Sequence, residues 1–141
     1  MNIVQVANTE EKINMCWEVM HELRPHLAKD EFVDLIKKLQ SDKFTLIFIE
    51  ENGIAISAAG FVEGVKLHRG KFIYIDDLST MPANRGNGLG TTLLNWIFDY
   101  ARKNNFEQVH LDSGVQRFDA HRLYLKYGFD ITSHHFAVKL K

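Results

Sequence analysis

The most informative segment of the 141-residue sequence reads Arg85-Gly86-Asn87-Gly88-Leu89-Gly90. It follows Phe72 to Leu78, whose apolar and β-branched residues are typical of a strand. It also precedes a run of apolar residues at helical spacing. Alternate glycines leave the backbone N–H groups unobstructed, and a helix N-terminus adds about half a positive charge. This combination predicts a site for a phosphate group.

Two familiar phosphate-binding motifs fit this segment poorly. A nucleoside-triphosphate loop ends in Gly-Lys-Ser/Thr, whereas this one ends in Gly90-Thr91-Thr92 and has no lysine. In a dinucleotide-binding fold the first glycine follows its strand at once, but here Ser79 to Asn84 intervenes. The sequence after Gly90 is also short for the remaining units of that fold.

Composition predicts one globular domain over residues 1–141, since 45% of the residues are hydrophobic and 25% are charged. The formal net charge of −1 gives no electrostatic reason to expect nucleic acid or an anionic membrane as a partner. No apolar run approaches the ~18 residues of a transmembrane helix, and the N-terminus does not resemble a secretory signal. The single cysteine, Cys16, excludes an internal disulfide and favours a reducing, cytoplasmic location.

The pattern of the whole chain predicts an α/β fold, with helices on the faces of a mixed sheet. An Asn52-Gly53 hairpin turn joins two of the strands. The predicted elements are a strand Ile3 to Val6, a helix from Asn8 to before Pro25, a helix from about Asp30 to Gln40, strands Phe44 to Ile49, Ile54 to Val62 and Phe72 to Leu78, a helix after the glycine loop, a strand Val109 to Leu111, a helix Asp119 to Tyr127 ended by Gly128, and a strand His134 to Leu140.

Two motifs resemble those of the GNAT superfamily of acyl-CoA-dependent N-acetyltransferases. The pattern Arg85-x-x-Gly88-x-Gly90, behind a strand that ends in Leu-x-x-x-Pro, resembles the family's motif A. The segment from Ala120 to Phe129 is similar to its later Ala-x-x-Phe-Tyr-x-x-x-Gly-Phe motif, in the right order and at the right spacing. Together they span about residues 72–130. The resemblance implies a GNAT-like fold, in which two parallel strands of a central mixed sheet splay apart between flanking helices.

The resemblance implies acetyl-CoA as co-substrate, with the motif A amides on its pyrophosphate. The pantetheine arm would pair with exposed strand backbone like an added strand, and an amide near Leu78 would polarise the thioester carbonyl. Arg117 stands where many relatives have an asparagine on the pantetheine arm, so that contact is either lost or replaced by a cation on a CoA phosphate. The cofactor residues are Leu78, Ser79, Thr80, Arg85, Gly86, Asn87, Gly88, Leu89, Gly90, Thr91 and Arg117.

Amine acetylation needs a deprotonated amine and a protonated leaving thiolate. Tyr124 matches the family's motif tyrosine, which implies a general acid; the alternative is a packed aromatic residue. Asp76 and Asp77 are the candidate bases, because two carboxylates in an apolar strand are costly unless they face water, a partner or a site. Strand alternation puts only one of them on a given side, and the resemblance favours Asp76, directly or through water. Surface carboxylates are the alternative.

The acceptor pocket is implied to involve Leu23 to Leu27, the segment that joins the first two helices. Arg24 would hold an acceptor carboxylate and His26 would act as a base, while a solvated arginine and a surface histidine are the alternatives. The other histidines of the later motif and the last strand lack acidic or cysteine partners at ligand spacing, so no metal is expected.

The sequence thus predicts an acetyl-CoA-dependent N-acetyltransferase in which a primary amine of a small molecule or peptide attacks the thioester directly. An acetyl-enzyme is disfavoured because Cys16 is the only thiol. The alternative is a catalytically silent acyl-CoA-binding or regulatory module. Only 12 residues follow Phe129, which is short for the terminal strand pair that the resemblance implies. The acceptor pocket or a dimer interface is therefore expected to be either trimmed or completed by a second chain, as in a homodimer.

Overall fold

The computed structural model of the chain describes residues 2–141. It divides into two compact units, an N-terminal unit that ends at His110 and a C-terminal unit, Leu111–Lys141. Each unit is described by itself below. The assignment of one domain to residues 1–141 stays a prediction.

The described chain forms a five-stranded sheet with flanking helices, which confirms the predicted α/β class and mixed sheet. The strands lie in the order β1-β2-β3-β4-β5, and the first four pair antiparallel in sequence. Short 3-10 turns at Lys29–Glu31 and Pro82–Asn84 precede α3 and the glycine loop. The elements are β1 Val4–Val6, α1 Glu10–Met15, α2 Trp17–Leu23, α3 Phe32–Ser41, β2 Phe44–Glu51, β3 Ile54–Lys66, β4 Gly70–Thr80, α4 Leu89–Lys103, β5 Gln108–Leu111 and α5 Phe118–Tyr127.

The turn between β2 and β3 has the predicted hairpin conformation. Asn52 and Gly53 have φ values of 55° and 84°, so both central residues are left-handed, as the favoured two-residue hairpin turns require. Glu51 pairs directly with Ile54 across the turn. This local signal sets the register of β2 against β3 beside the turn, and a β-bulge between Ile49 and Glu50 shifts it by one residue farther along.

The first predicted helix is divided in two at Cys16, and its N-cap is Thr9 rather than Asn8. The Thr9 hydroxyl accepts a hydrogen bond from the backbone N–H of Lys12 at 3.2 Å, so threonine caps the helix one residue after the predicted start at Asn8. Cys16 is buried in the core, and burial raises the pKa of its thiol to about 12. The thiol therefore stays protonated at neutral pH, which is consistent with a structural role.

The helix that follows the glycine loop is anchored firmly in the core. One face of α4 is buried, and Leu93, Leu94 and Ile97 are fully inaccessible to solvent. This face explains why apolar residues recur every three to four positions after Leu89. Because the helix is held along its length, the position of its N-terminal end is well defined.

The predicted strand His134 to Leu140 is wrong. Helix α5 ends at Gly128, with a φ of 120°, as predicted, but residues 129–141 have no regular secondary structure. Phe136, Val138 and Leu140 alternate as strand residues do, yet their exposed fractions are 91%, 84% and 91%. Alternation makes a segment suitable for a strand, but a strand also needs a neighbouring edge for its backbone hydrogen bonds.

Among the described residues, no helix combines the length and apolar character needed to cross a membrane.

Candidate functional site

The glycine loop is an exposed, open backbone surface. Residues 85–88 lie between the 3-10 turn and α4, and all four are exposed. Gly86 and Gly88 have φ values of 83° and 75°, a conformation that residues with a side chain adopt only under strain. A Cβ atom at either glycine would meet no heavy atom within 4 Å. The space above the loop is therefore open to a ligand.

The first backbone N–H groups of α4, which follow the loop directly, form no hydrogen bond within residues 2–141. Gly88 is the N-cap and offers no side-chain cap, and its carbonyl accepts the backbone N–H of Thr92 at 3.0 Å. The N–H groups of Leu89, Gly90 and Thr91 precede this first intrahelical bond and have no helical acceptor. With the positive end of the helix dipole, they can bind an anion.

Arg85 ties the glycine loop to its surroundings in the N-terminal unit. Its Nε donates to the carbonyl oxygen of Thr80 at 3.2 Å, and its Nη2 lies 3.6 Å from Oε1 of Glu22 on α2. The guanidinium therefore has protein partners on two elements. Arg85 therefore holds the loop against the end of β4 and against α2.

The end of β4 divides its backbone groups between two sides. The N–H of Met81 donates to the carbonyl of Ile56 at 2.8 Å, and by strand alternation the N–H and C=O of Ser79 also face β3. The Ser57 hydroxyl donates to the Ser79 carbonyl as well, at 3.1 Å. The N–H and C=O of Leu78 and Thr80 consequently turn away from β3. Three backbone positions are predicted to contact the pantetheine arm. Leu78 and Thr80 face away from β3, whereas Ser79 faces β3.

A β-bulge interrupts β4 at the two candidate bases. Asp77 pairs with Gly60 and Ile75 pairs with Phe61, which leaves Asp76 as the extra residue. Asp76 is exposed, and the Asp77 side chain is mostly buried. The side chains therefore do not alternate regularly between the two faces of the sheet at this point. From the sequence alone, Asp76 and Asp77 are expected to alternate in this way.

Asp77 forms an ion pair with Arg24, the C-cap residue of α2. Nε and Nη2 of Arg24 lie 3.0 Å and 2.9 Å from Oδ1 of Asp77, and Nη2 also donates to the carbonyl oxygen of Asp76 at 3.0 Å. The side chains of Arg24 and Asp77 are 44% and 14% exposed. The structure thus brings together a predicted acceptor residue and a predicted base that are 53 positions apart.

His26, the other predicted acceptor residue, is exposed and forms no hydrogen bond or ion pair within residues 2–141. A different histidine supports this segment. The ring of His21 stacks on Trp17 with centroids 4.8 Å apart and forms a hydrogen bond to the Pro25 carbonyl at 3.1 Å. The spacing of four residues between Trp17 and His21 is the sequence signal that could have identified this pair.

Tyr124 lies on α5 of the C-terminal unit and is buried, with its ring centroid 5.9 Å from that of Phe129. Burial raises the pKa of Tyr124, and the nearby positive charge of Arg117 opposes that shift in part. Burial thus favours the neutral phenol, the form that holds a proton to donate, and it also makes that phenol a weaker acid. Arg117 itself is exposed just before α5.

Within residues 2–141, no group of three or more His, Cys, Asp or Glu side chains is arranged to hold a metal ion.

Comparison with known proteins identifies the family. The model of the acetyltransferase (GNAT) family matches residues 9–129. The chain belongs to the GNAT acetyltransferase family. The match includes the glycine loop, the bulge of β4 and Tyr124, and it extends across both compact units.

Two relatives are named N-acetyltransferases. One is YhdJ of Bacillus subtilis, 35% identical over 122 residues that cover 85% of this chain and 86% of the relative. Another is an aminoalkylphosphonate N-acetyltransferase of Salmonella typhimurium, 33% identical over 79 residues that cover 55% of this chain and 51% of the relative. A solved aminoglycoside N-acetyltransferase in complex with CoA has a TM-score of 0.81 at 13% identity, over 99% of this chain and 95% of that one. These similarities confirm the predicted GNAT fold and acetyltransferase class.

Proposed function

We propose that this GNAT acetyltransferase transfers the acetyl group of acetyl-CoA to a primary amine of a small molecule or peptide. The observation that carries the proposal is the glycine loop, where two left-handed glycines lie under open space beside an uncapped helix N-terminus. A CoA pyrophosphate has the charge and oxygen acceptors that such a surface binds. A solved neighbour of this fold contains CoA, which supports the choice of donor.

In this proposal the donor binds along the loop and the end of β4. The N–H groups of Leu89, Gly90 and Thr91 bind the pyrophosphate, on a loop shaped by residues 85–88. The pantetheine arm lies beside Leu78 and Thr80, whose backbone groups turn away from β3. The N–H of Leu78 would then donate to the thioester oxygen as negative charge develops on it. Arg117 is proposed as a cation for a CoA phosphate.

The acetyl transfer follows by direct attack. The amine nitrogen forms a bond to the thioester carbon, the carbon–sulfur bond breaks, and the leaving sulfur takes a proton from Tyr124. The proton lost by the amine passes to Asp76, directly or through water, or to Asp77. The raised pKa keeps Tyr124 in its neutral form, which favours a role as acid over a role as base, and proton transfer then needs the thiolate to form within hydrogen-bond reach of the phenol.

Thiol release from acetyl-CoA tests the proposal. The purified protein is given polyamines, amino acids, aminoglycosides, peptide N-termini and an aminoalkylphosphonate, the last because one relative is named for that acceptor. We expect at least one amine to accelerate thiol release and to gain an acetyl group. CoA binding without any acceleration would support the silent acyl-CoA-binding alternative, and no CoA binding at all would contradict the donor assignment.

We also propose that a second copy of this chain covers the exposed C-terminal segment. Ile131, Phe136, Val138 and Leu140 are each exposed, and burying all four would remove roughly 400–500 Å² of apolar surface per copy. Two copies together would bury about twice this area, and the backbone of the segment would add to it. The total approaches about 1,200 Å², the lower limit for a stable interface.

A cytoplasmic location stays a prediction.

Light scattering after size exclusion tests the homodimer. The wild type should elute at twice the monomer mass, and a variant with Phe136→Asp and Val138→Asp should elute as a monomer. A monomeric wild type at high protein concentration would contradict this arrangement.

A further inference from the structure

We infer that the acceptor is a compact zwitterion, an amine with a carboxylate or phosphonate a few bonds away, held by Arg24 and Asp77. The inference rests on the proposed function and specifies its acceptor. Arg24 binds the acid group of the acceptor, and Asp77 binds its ammonium group. The observation behind it is the ion pair between these two side chains, on a bulged strand and at a helix end.

The ion pair leaves one nitrogen of Arg24 and one oxygen of Asp77 without a hydrogen bond among the described residues. Both donors of Arg24 converge on one oxygen, Oδ1 of Asp77. Within residues 2–141, Nη1 of Arg24 donates no hydrogen bond and Oδ2 of Asp77 accepts none. A guanidinium offers five donors in a planar fork that matches the oxygens of a carboxylate or phosphonate. Since the Arg24 side chain is 44% exposed, a small solute can reach its unused edge.

Arg24 has a second anchor that does not depend on the Asp77 carboxylate. Nη2 also donates to the carbonyl oxygen of Asp76, which the bulge exposes at this point. That hydrogen bond keeps the guanidinium in place when the carboxylate turns toward an incoming ammonium. The pair can therefore open by movement of one side chain, without a shift of α2.

Asp77 is confined on its other side by β3. A Cβ atom at Gly60 would lie 3.1 Å from Oδ2 of Asp77 and only 2.5 Å from the ring of Phe44. Glycine thus allows the carboxylate and the aromatic ring to lie close to this strand. Because Gly60 and the ring of Phe44 close the β3 side, an acceptor must approach Asp77 from the side that Arg24 also faces.

The charges of the pair select the acceptor. A zwitterion breaks the ion pair between Arg24 and Asp77 and forms two new ones. Its acid group pairs with Arg24 and its ammonium group with Asp77, so no charge is left without a partner. An amine without an acid group would compete for Asp77 and leave Arg24 unpaired, and a diamine would also be repelled by it. A site built around paired polar groups discriminates strongly against an acceptor that lacks one of them.

The experiment compares matched acceptors in the thiol-release assay. β-Alanine and 2-aminoethylphosphonate carry the two acid groups, propylamine is the acid-free analogue, and putrescine is the diamine. We expect kcat/KM to be about 30-fold or more higher for at least one of the acid-bearing acceptors than for propylamine. The carboxylate and phosphonate arms then show which acid the site prefers.

Two variants separate the roles of the pair. Arg24→Gln should lower kcat/KM for acid-bearing acceptors about 30-fold, mainly through KM, and should raise that for propylamine, which no longer has to displace the guanidinium from Asp77. Asp77→Asn should lower kcat/KM for all amines. Arg102→Gln is the matched control, since Arg102 also pairs with an aspartate but on the exposed end of α4. Acetyl-CoA affinity, measured by calorimetry, should be the same in all three.

Equal kcat/KM for β-alanine, 2-aminoethylphosphonate and propylamine in the wild type would overturn the inference and leave the proposed acetyltransferase intact. An equal loss for acid-bearing and acid-free amines in Arg24→Gln would also overturn it. If no amine releases thiol, the proposed function fails and the inference fails with it.

Discussion

The two compact units of this protein organise their predicted site residues in different ways. In the N-terminal unit, the glycine loop and Asp77 belong to elements packed into a sheet-based core, and Arg24 is held by an ion pair to it. In the C-terminal unit, Tyr124 is carried by a single helix. That unit is much the smaller, yet it contains seven of the thirteen exposed large hydrophobic residues of the described chain.

The difference teaches which parts of the site depend on packing. Backbone donors for an anion need a rigid frame, because several N–H groups must converge on one group. A sheet with a packed helix supplies that frame. The predicted proton donor needs only one side chain, Tyr124, whose phenol is buried and held in its neutral form. Substitutions in one unit at a time test whether the two units differ in this way.

The largest effect is expected in the glycine loop of the N-terminal unit. Gly88→Val places a branched side chain at a φ of 75° and in the open space over the helix N-terminus. Loss of charge-assisted bonds to two or three amides would weaken acetyl-CoA binding by about 100- to 1,000-fold, measured by calorimetry. Gly53→Val is the control, because it has a φ of 84° and equally open space but lies in the hairpin. Normal binding by the Gly88 variant would refute the loop assignment.

The next largest effect is expected in the free energy of unfolding, where a core position of the N-terminal unit should differ from an exposed position of the C-terminal unit. Leu94→Ala removes a fully buried side chain from α4 and should lower the free energy of unfolding by about 3 kcal/mol. Leu125→Ala, on the exposed side of α5, should change it by less than about 0.5 kcal/mol. Urea unfolding of both variants measures the difference. Similar losses would show that the C-terminal unit is packed as tightly as the N-terminal one.

Turnover should respond to the C-terminal unit through Tyr124. Tyr124→Phe keeps the ring and removes the acidic proton, so kcat should fall about 10- to 100-fold while acetyl-CoA affinity stays the same. Tyr127→Phe, one helical turn away, is the control and should keep full turnover. If the Tyr124 variant turns over as fast as the wild type, the tyrosine is a packed aromatic residue and not the acid.

The smallest effect is expected at alkaline pH, where the buried thiol of Cys16 in the N-terminal unit should make the free energy of unfolding fall as the pH rises. Burial raises the pKa of Cys16 from 9.0 to about 12, so the fold favours the protonated thiol. Its contribution is complete below pH 9 and is lost as the pH rises from 9 toward 12, by roughly 1 kcal/mol over the first pH unit. The free energy of unfolding of Cys16→Ala should therefore fall less steeply between pH 9 and 10 than that of the wild type. Parallel slopes would contradict this assignment.

Much of the fold could be predicted from local signals in the sequence. The hairpin at Asn52-Gly53, the start of α4 after Gly88 and the end of α5 at Gly128 each depend on the conformational preference of one or two residues. Apolar spacing also identified the buried face of α4. The glycine loop could be recognised for the same reason, since its chemistry comes from consecutive backbone groups.

The tertiary structure decided the features that depend on distant partners. The ion pair of Arg24 with Asp77, the link from Arg85 to Glu22 and the bulge at Asp76 each need elements that only the folded sheet brings together. For the same reason the alternating residues of 134–140 do not form a strand, because hydrogen bonds to a neighbouring strand are not encoded in the segment itself. The sequence alone was enough for the order of the elements from β2 to α5. It was also enough to recognise the glycine loop, since the first turn of a helix carries its own unpaired donors. The acceptor side of the site required the fold, because opposite charges become a pair only when packing puts them within about 3 Å of each other.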